Sequence, residues 1–251
     1  MLLAPKSGII YGPVQSRRLG LSLGINLLPL REKKCTFDCV YCQYGWTLRP
    51  PSEGDGFPAV DEVLAAVEQA LRDGRGSPAF LTFSGNGEPA THPQFLPIVE
   101  GVRALRDRLL PAAKLAILSN STCLNRPQVG SALALLDRRI MKLDAGTEEV
   151  FQRYCRPTVP IGLDVIVAAL TSLGDVTLQT LFAGGPGGNA DAAHVSAWIE
   201  KVVAIAPVDV QIYTLDRSWP SRAIVPLDAG RLRAIAEALR QAGCPVTVAS
   251  R

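Results

Sequence analysis

The chain has 251 residues, of which 47% are hydrophobic and 20% are charged, with a formal net charge of +3. This composition is typical of a globular protein with a sizeable core, and the length allows one large domain. The sequence lacks the dense basic run of a dedicated nucleic-acid-binding domain, although its charge permits an anionic substrate or RNA. The N-terminus lacks signal-peptide features and no run reaches the ~18 apolar residues of a membrane span, so we expect a soluble, cytoplasmic protein without membrane contact.

The predicted elements alternate between short apolar strands and amphipathic helices along most of the chain. An early strand at 21–27 precedes a cysteine-rich segment at 34–45 and a Gly- and Pro-rich loop at 45–58, which is a candidate lid. The later strands are predicted at 79–83, 114–118, 140–143, 176–181 and 208–213. Between and after them, helices are predicted at 60–72, 95–109, 127–136, 161–173, 190–205 and 228–240. Repeated β–α units predict right-handed crossovers and a parallel sheet, either open or curled into a partial barrel.

Three cysteines within eight residues form the strongest chemical signal in the sequence. Cys35, Cys39 and Cys42 have C-x3-C-x2-C spacing and follow the first predicted strand. A fully ligated [4Fe–4S] cluster ordinarily takes four cysteines, so three leave one iron open for another ligand. The alternatives are a zinc site completed by one of the other three cysteines, or three unrelated thiols. The second Cys or His pair typical of zinc sites is missing from the sequence. The remaining cysteines are Cys123, Cys155 and Cys244, which we interpret as small buried apolar residues.

This cysteine motif, with Tyr41 before its last cysteine, resembles the signature of the radical S-adenosylmethionine (SAM) superfamily. The resemblance implies an α/β fold containing a partial (β/α)6 barrel, formed by residues 1–251 as a single domain. It implies that Cys35, Cys39 and Cys42 bind iron and that SAM occupies the fourth iron through its amino and carboxylate groups. It also implies reductive cleavage of SAM to methionine and a 5′-deoxyadenosyl radical, which abstracts hydrogen from a substrate.

Two strand ends carry further candidates for SAM binding. The segment Gly85-Asn86-Gly87-Glu88 resembles the superfamily's Gly-Gly-Glu-Pro motif with a slightly longer loop, which implies contacts to the ammonium group of SAM. Ser119 and Asn120 end the next strand, where hydroxyl and amide groups suit the ribose and the carboxylate. Taken without the cysteines, both segments would read as ordinary turns and helix caps.

Charged residues elsewhere are weaker candidates. Lys142 and Asp144 share one face of a strand, where they can face the active site or form a buried ion pair; we include both among the cofactor-binding candidates, with Tyr41. Further along the chain, Gln179 and Tyr213 are candidates for the substrate side. The paired arginines Arg17 and Arg18 can bind an anionic substrate group or lie in solvent.

Nearly the whole chain resembles stand-alone radical SAM proteins grouped with the wyosine tRNA-modifying synthases. The chain departs from the wyosine enzymes because it lacks an N-terminal cysteine trio and a flavodoxin-like domain. The family association implies tRNA as the substrate, with a peptide or small metabolite as alternatives, and an electron donor such as a flavodoxin or ferredoxin. The catalytic residues are not predicted. A non-catalytic metal-binding or redox-sensing protein remains the alternative from another class.

Overall fold

The computed structural model describes residues 2–16, 19–52, 54–74 and 76–249. Its strands are β1 (Ile10–Ser16), β2 (Gly20–Ile25), β3 (Phe80–Phe83), β4 (Lys114–Ser119), β5 (Arg138–Lys142), β6 (Thr177–Gly184), β7 (Asp209–Thr214), β8 (Val225–Pro226) and β9 (Val246–Val248). Its α-helices are α1 (Val60–Arg72), α2 (Phe95–Leu109), α3 (Pro127–Ala134), α4 (Glu148–Val150), α5 (Leu163–Leu173), α6 (Ala192–Ile205) and α7 (Ala229–Gln241). The described residues also form a 3-10 turn at Pro89–Thr91 and a π-helical turn at Phe151–Cys155.

The sheet consists mainly of parallel strands in sequence order. Strands β2 to β7 are neighbours in order and run parallel, β9 continues the sheet beside β7, and β1 pairs antiparallel with β2. Short β8 pairs antiparallel with β6 off this path. Six consecutive parallel strands joined by helical crossovers confirm the predicted α/β fold with a partial (β/α)6 barrel.

The apolar runs predicted as strands are buried because helices cover the sheet. In β6, every residue except Gly184 is buried, as expected for a central parallel strand. Helix α1 packs Val63, Val67 and Ala70 inward, and Trp198 of α6 packs edge-to-face on Phe182. Because each helix of a crossover lies against the strands, the loops at the carboxyl ends of the strands are left free to form a site.

Strand β1 was not predicted from the sequence. Its Gly12-Pro13 step has the composition of a turn, yet it lies at a register shift between Tyr11 and Val14. Proline is tolerated there because an edge strand and a bulge do not need every backbone N–H. The short helical turns after β5 were also missed, whereas α1 and α2 have the predicted bounds. No described helix has the length and hydropathy needed to cross a membrane.

Candidate active site

A cavity of about 470 Å³ opens at the carboxyl ends of the parallel strands. Its walls come from the β1–β2 hairpin, the loop after β2 and the ends of β3 to β7. Ligands of parallel α/β folds bind at this end of the sheet, because the loops after the strands converge there. The position of the cavity therefore makes it the candidate active site.

Cys35, Cys39 and Cys42 all line this cavity and all carry free thiols. Burial raises the pKa of the Cys35 thiol to about 12 and that of Cys39 well above its usual range. Within the described ranges, no three Cys, His, Asp or Glu side chains are grouped closely enough to hold a single metal ion. Thiolates on a [4Fe–4S] cluster bind different irons, so the donor set of three soft thiols around one cavity fits such a cluster.

The segment after the π-helical turn holds the cysteine loop in place. The Asp38 N–H donates to the carbonyls of Cys155 at 3.1 Å and Arg156 at 2.9 Å. The Thr158 N–H donates to the Thr36 carbonyl at 2.9 Å. Arg156 reaches this geometry through a left-handed backbone with φ of 52°. These bonds fix the loop backbone between its cysteines, so the positions of the thiols depend on a segment more than a hundred residues away.

Asn120 connects the end of β4 to the same loop. Its Nδ2 donates to Thr36 Oγ1 at 2.8 Å and lies 3.5 Å from Cys35 Sγ. Its Oδ1 accepts from the backbone and hydroxyl of Thr122 at 3.1 and 2.8 Å. The predicted SAM-binding residue Asn120 therefore lies beside the first cysteine, with both ends of its amide in hydrogen bonds.

The glycine-rich segment after β3 packs directly on the start of the cysteine loop. Gly85 and Gly87 have φ of +143° and +146°, and both line the cavity. A Cβ at Gly87 would lie 1.7 Å from the Lys34 carbonyl oxygen. The Asn86 side chain is fully buried and points away into backbone partners, donating to the carbonyls of Lys6 and Pro29. The two glycines thus supply a backbone wall that only residues without a side chain can form.

Glu88 is buried and its carboxylate links two strand ends. Oε1 accepts from the Ala90 N–H at 3.0 Å and the Ser119 hydroxyl at 2.9 Å, and Oε2 accepts from the Asn120 N–H at 2.5 Å. Burial raises the pKa of Glu88 to about 7, although these three donors oppose that shift. Neither Glu88 nor Ser119 is among the residues that line the cavity. In this arrangement the carboxylate orders the loops on which a ligand would rest.

A charged cluster lies at the end of β5. The Lys142 ammonium is 2.9 Å from Asp144 Oδ1 and donates to the Tyr213 hydroxyl at 3.2 Å. It lies 5.2 and 5.1 Å from the ring centres of Tyr41 and Tyr213. The Tyr41 hydroxyl donates to Asp144 Oδ2 at 2.5 Å. The structure shows an ion pair between Lys142 and Asp144, and Lys142 also lines the cavity.

Further polar side chains lie next to Lys142 on the neighbouring strands. Lys142 pairs in register with Gln179, whose side chain donates to Gln211 at 3.3 Å. Tyr213 lines the cavity, whereas Gln179 is buried and does not line it. The paired arginines Arg17 and Arg18 lie outside the described residues. The remaining cysteines are buried and do not line the main cavity: Cys123, Cys155 and Cys244.

Several lining residues were not predicted from the sequence. Tyr11 of β1 donates to or accepts from Ser84 Oγ at 2.6 Å, and the Lys6 ammonium lies 4.7 Å from its ring centre. Tyr11 enters the cavity because Gly24 leaves room for its ring; a Cβ at Gly24 would lie 2.1 Å from Tyr11 Cζ. The pairing of Tyr11 in β1 with Gly24 in β2 could have indicated this contact, but β1 was not predicted from the sequence.

A buried ion pair anchors the loop at 45–58. Lys34 has a fully buried side chain, with its ammonium 3.0 Å from Asp55 Oδ1 and 2.6 Å from Glu32 Oε1. Asp55 also pairs with Arg49 and accepts from the Ser52 N–H at 2.8 Å. These cations and donors hold the pKa of Asp55 well below its usual range. Gly45 and Thr47 hydrogen-bond to the cysteine loop, and none of the described residues at 45–58 lines the cavity.

Replacing Asp55 by Asn is expected to lower the free energy of unfolding at pH 7 by about 1–3 kcal/mol, because the buried Lys34 ammonium loses its main counter-ion. Since the folded-state pKa of Asp55 is lowered, its stabilisation is present above the unfolded pKa of about 3.9 and is lost as the pH falls below it. In urea unfolding experiments, the difference in free energy of unfolding between Asp55→Asn and wild type should therefore become smaller from pH 7 to pH 3. The exposed Asp61→Asn variant is the control, and an equal difference at every pH would contradict the ion-pair account.

With this geometry in place, comparison with known proteins identifies the family. The model of the radical SAM superfamily matches residues 33–195, which include the cysteine loop, the glycine-rich segment and the Lys142 cluster. The chain belongs to the radical SAM superfamily. Members of this superfamily bind a [4Fe–4S] cluster and SAM, so the predicted cofactors agree with the family.

Relatives of similar sequence cover most of the chain. A UPF0026 protein of Helicobacter pylori is 30% identical over 213 residues, covering 83% of this chain and 67% of that protein. A UPF0026 protein of Methanocaldococcus jannaschii is 32% identical over 182 residues, covering 70% and 54%. The chain spans only 23% of a Brachyspira hyodysenteriae protein named GTPase Obg, at 30% identity over 66% of this chain. The chain thus corresponds to part of the length of several relatives.

Solved radical SAM structures share the fold at low sequence identity. Streptococcus suis SuiB bound to S-adenosylmethionine superposes with a TM-score of 0.65 and 12% identity, over 90% of this chain and 50% of that one. A radical SAM methyltransferase from Sphaerobacter thermophilus gives 0.63 and 16%, over 90% and 65%. These likenesses confirm the architecture.

Proposed function

We propose that the protein uses Cys35, Cys39 and Cys42 to hold a [4Fe–4S] cluster and cleaves SAM reductively at this site. The observation that carries the proposal is the convergence of three free thiols on one strand-end cavity. When bound, the cluster supplies one electron to SAM, and the resulting 5′-deoxyadenosyl radical removes hydrogen from a substrate. Iron binding favours the thiolate form of these cysteines, so cluster assembly would release their protons.

We propose that the glycine-rich wall beside the cysteine loop holds SAM mainly through backbone groups. Gly85 and Gly87 present their backbone to the cavity, while Asn86 and Glu88 hold that backbone in place. Asn120 lies beside Cys35 although it does not line the cavity, and we propose its amide as a candidate contact to the carboxylate of SAM. Ser119 contributes through Glu88 and is a positioning residue.

For the substrate we propose a molecule with an anionic group. The cavity lining contains four cations, Lys6, Lys33, Lys142 and Arg217, but one acid, Asp216. Lys142 is paired with Asp144, so the positive charge of the lining comes mainly from Lys6, Lys33 and Arg217, and part of it balances the thiolates. Transfer RNA, suggested by the motif resemblance to wyosine synthases, is a polyanion and comes first; anionic peptides and small metabolites are the alternatives. An oxygen-labile cluster and free thiols suit a reducing compartment, and we place the reaction in the cytoplasm.

The experiment that tests the function is anaerobic reconstitution with iron and sulfide, followed by reduction with dithionite and addition of SAM. We expect about four irons per chain and formation of 5′-deoxyadenosine, measured by mass spectrometry. Parallel reactions with bulk tRNA, a peptide mixture or a metabolite mixture should show which class increases 5′-deoxyadenosine above the basal rate. One zinc per chain and no cluster absorbance would instead support the metal-binding alternative.

A further inference from the structure

Two cations of the cavity lie on segments outside the part of the chain that the superfamily shares. The shared part covers residues 33–195, whereas Lys6 precedes it and Arg217 follows it, and both residues line the cavity. The cofactors are common to the superfamily, while the function of each member depends on the site that its own residues build. Lining residues outside the shared part are therefore suited to contact the substrate.

Lys6 reaches the cavity from a backbone that is held on both sides. Its N–H donates to Asn86 Oδ1 at 2.5 Å, and its carbonyl accepts from Asn86 Nδ2 at 2.9 Å and from the Arg31 N–H at 2.8 Å. The Asn86 side chain that forms two of these bonds is fully buried. The Lys6 ammonium lies 4.7 Å from the ring centre of Tyr11, which is itself a lining residue. The position of this ammonium at the cavity wall is thus fixed by the fold.

Gln43 joins the two segments that carry these cations. Its carbonyl accepts from the Leu3 N–H at 2.8 Å, and its Oε1 accepts from Arg217 Nη1 at 3.0 Å. Gln43 directly follows Cys42 in the sequence and also lines the cavity. The N-terminal segment and the segment after β7 therefore meet at one residue of the rim, and an anion that enters there finds a cation on either side.

Neither cation has an acidic partner among the residues that the structure describes. The ion pairs of that part of the chain involve neither Lys6 nor Arg217, and Asp216 forms no ion pair with its neighbour Arg217. By contrast, Lys142 of the same lining is neutralised by Asp144 at 2.9 Å. Positive charge without a counter-ion at the wall of a cavity attracts anions from solution.

We propose that Lys6 and Arg217 together bind a phosphate group of the substrate. This inference rests on the proposed function, because it places the substrate of that reaction in the same cavity. An ammonium and a guanidinium supply two positive charges and several N–H donors, which match the several oxygens of one phosphate. The phosphate belongs either to an RNA backbone or to a small phosphate ester, since both present the same anionic oxygens.

The test compares Lys6→Gln and Arg217→Gln with two control variants of the reconstituted protein. Lys6→Arg keeps the charge at the same position. Lys114→Gln removes one charge from an exposed lysine at the start of β4, at the opposite end of the strands from the cavity. The probes are radiolabelled inorganic phosphate in equilibrium dialysis, and bulk tRNA in fluorescence anisotropy titrations over a range of salt concentrations.

We expect inorganic phosphate to bind at least about threefold more weakly to Lys6→Gln and Arg217→Gln, while Lys6→Arg and Lys114→Gln bind it like wild type. With an RNA phosphate, tRNA binding to the two Gln variants also weakens about tenfold at ~0.1 M salt, and the salt-dependence slope falls by about one for each lost contact. With a small phosphate ester, only the binding of inorganic phosphate is reduced.

Three results would overturn the proposal. They are wild-type phosphate binding by both Gln variants, an equal loss in Lys114→Gln, and weaker binding of SAM by Lys6→Gln, which would place this lysine at the cofactor. Iron content and 5′-deoxyadenosine formation are measured on the same wild-type sample. A wild-type protein without a cluster would refute the proposed function, and the comparison of phosphate binding, which needs no electron transfer, would still decide the anion site.

Discussion

Replacing Cys39 by Ala is expected to abolish both the cluster and SAM cleavage. Cys39 is the middle of the three thiols on the cavity wall, and its removal leaves two ligands for a cluster that normally needs at least three from the protein. Iron should fall from about four per chain to near zero, and 5′-deoxyadenosine to the level found without enzyme. Iron analysis, visible absorbance and mass spectrometry measure these outcomes.

The matched control is Cys244→Ala. Cys244 is also buried and free, but it belongs to the core and does not line the cavity. It should retain wild-type iron content and activity, and both variants should keep the wild-type circular dichroism spectrum because each loses one sulfur atom. Full iron content in Cys39→Ala would contradict the ligand assignment. Loss of the cluster in Cys244→Ala would point to a site completed by the scattered cysteines.

A second large effect is expected from Gly87→Ala, which adds one methyl group where the backbone of the cysteine loop passes. The new Cβ would lie 1.7 Å from the Lys34 carbonyl oxygen, and φ at this residue is +146°. The loop cannot move aside without losing the bonds from Lys34 N to Asn86 O at 2.8 Å and from Glu88 N to Lys34 O at 3.2 Å. We expect the free energy of unfolding to fall by at least about 3 kcal/mol and the cluster yield to fall with it.

Gly130→Ala provides the comparison for this substitution. Gly130 lies in α3, its added Cβ would have no heavy atom within 4 Å, and its φ is not positive. Alanine should therefore stabilise the protein by about 0.5–1 kcal/mol through higher helix propensity. Urea unfolding should therefore show a lower free energy of unfolding than wild type for Gly87→Ala and a higher one for Gly130→Ala. Similar small effects for both would show that the contact between the glycine-rich segment and the cysteine loop is not tight.

The sequence was sufficient for features that depend on local pattern. The helices α1 and α2 have their predicted bounds because their apolar residues recur at helical spacing within one segment. The candidate metal-binding segment was equally accessible, since all three cysteines lie within eight residues. The strand ends at Ser84 and Ser119 followed from the alternation of strands and helices, which brings successive loops to one edge of the sheet.

The sequence could not indicate how side chains pair across long separations. Glu88 was predicted as a SAM contact from its motif alone, and that motif did not indicate that its carboxylate accepts hydrogen bonds from Ser119 and Asn120, about thirty residues later. The pairing of Lys34 with Asp55 was missed because both lie in irregular loops, where no periodicity relates one charge to another. The ion pair between Arg156 and Asp38 depends on a left-handed backbone conformation at Arg156, which the local sequence does not predict.

The order of the described sheet also bears on the size of molecule that the cavity can admit. Strands β1 and β9 lie at opposite ends of that order, and the sheet does not pair them with each other. One rim of the cavity comes from β1 and another from residues 214–218 at the end of β7. Arg217 of the second rim donates to Gln43 of the cysteine loop at 3.0 Å. These rims can separate while every inter-strand hydrogen bond stays intact. The entrance can therefore widen for a bulky substrate by breaking only a few surface contacts, whereas a closed barrel would have to break the hydrogen bonds between two strands.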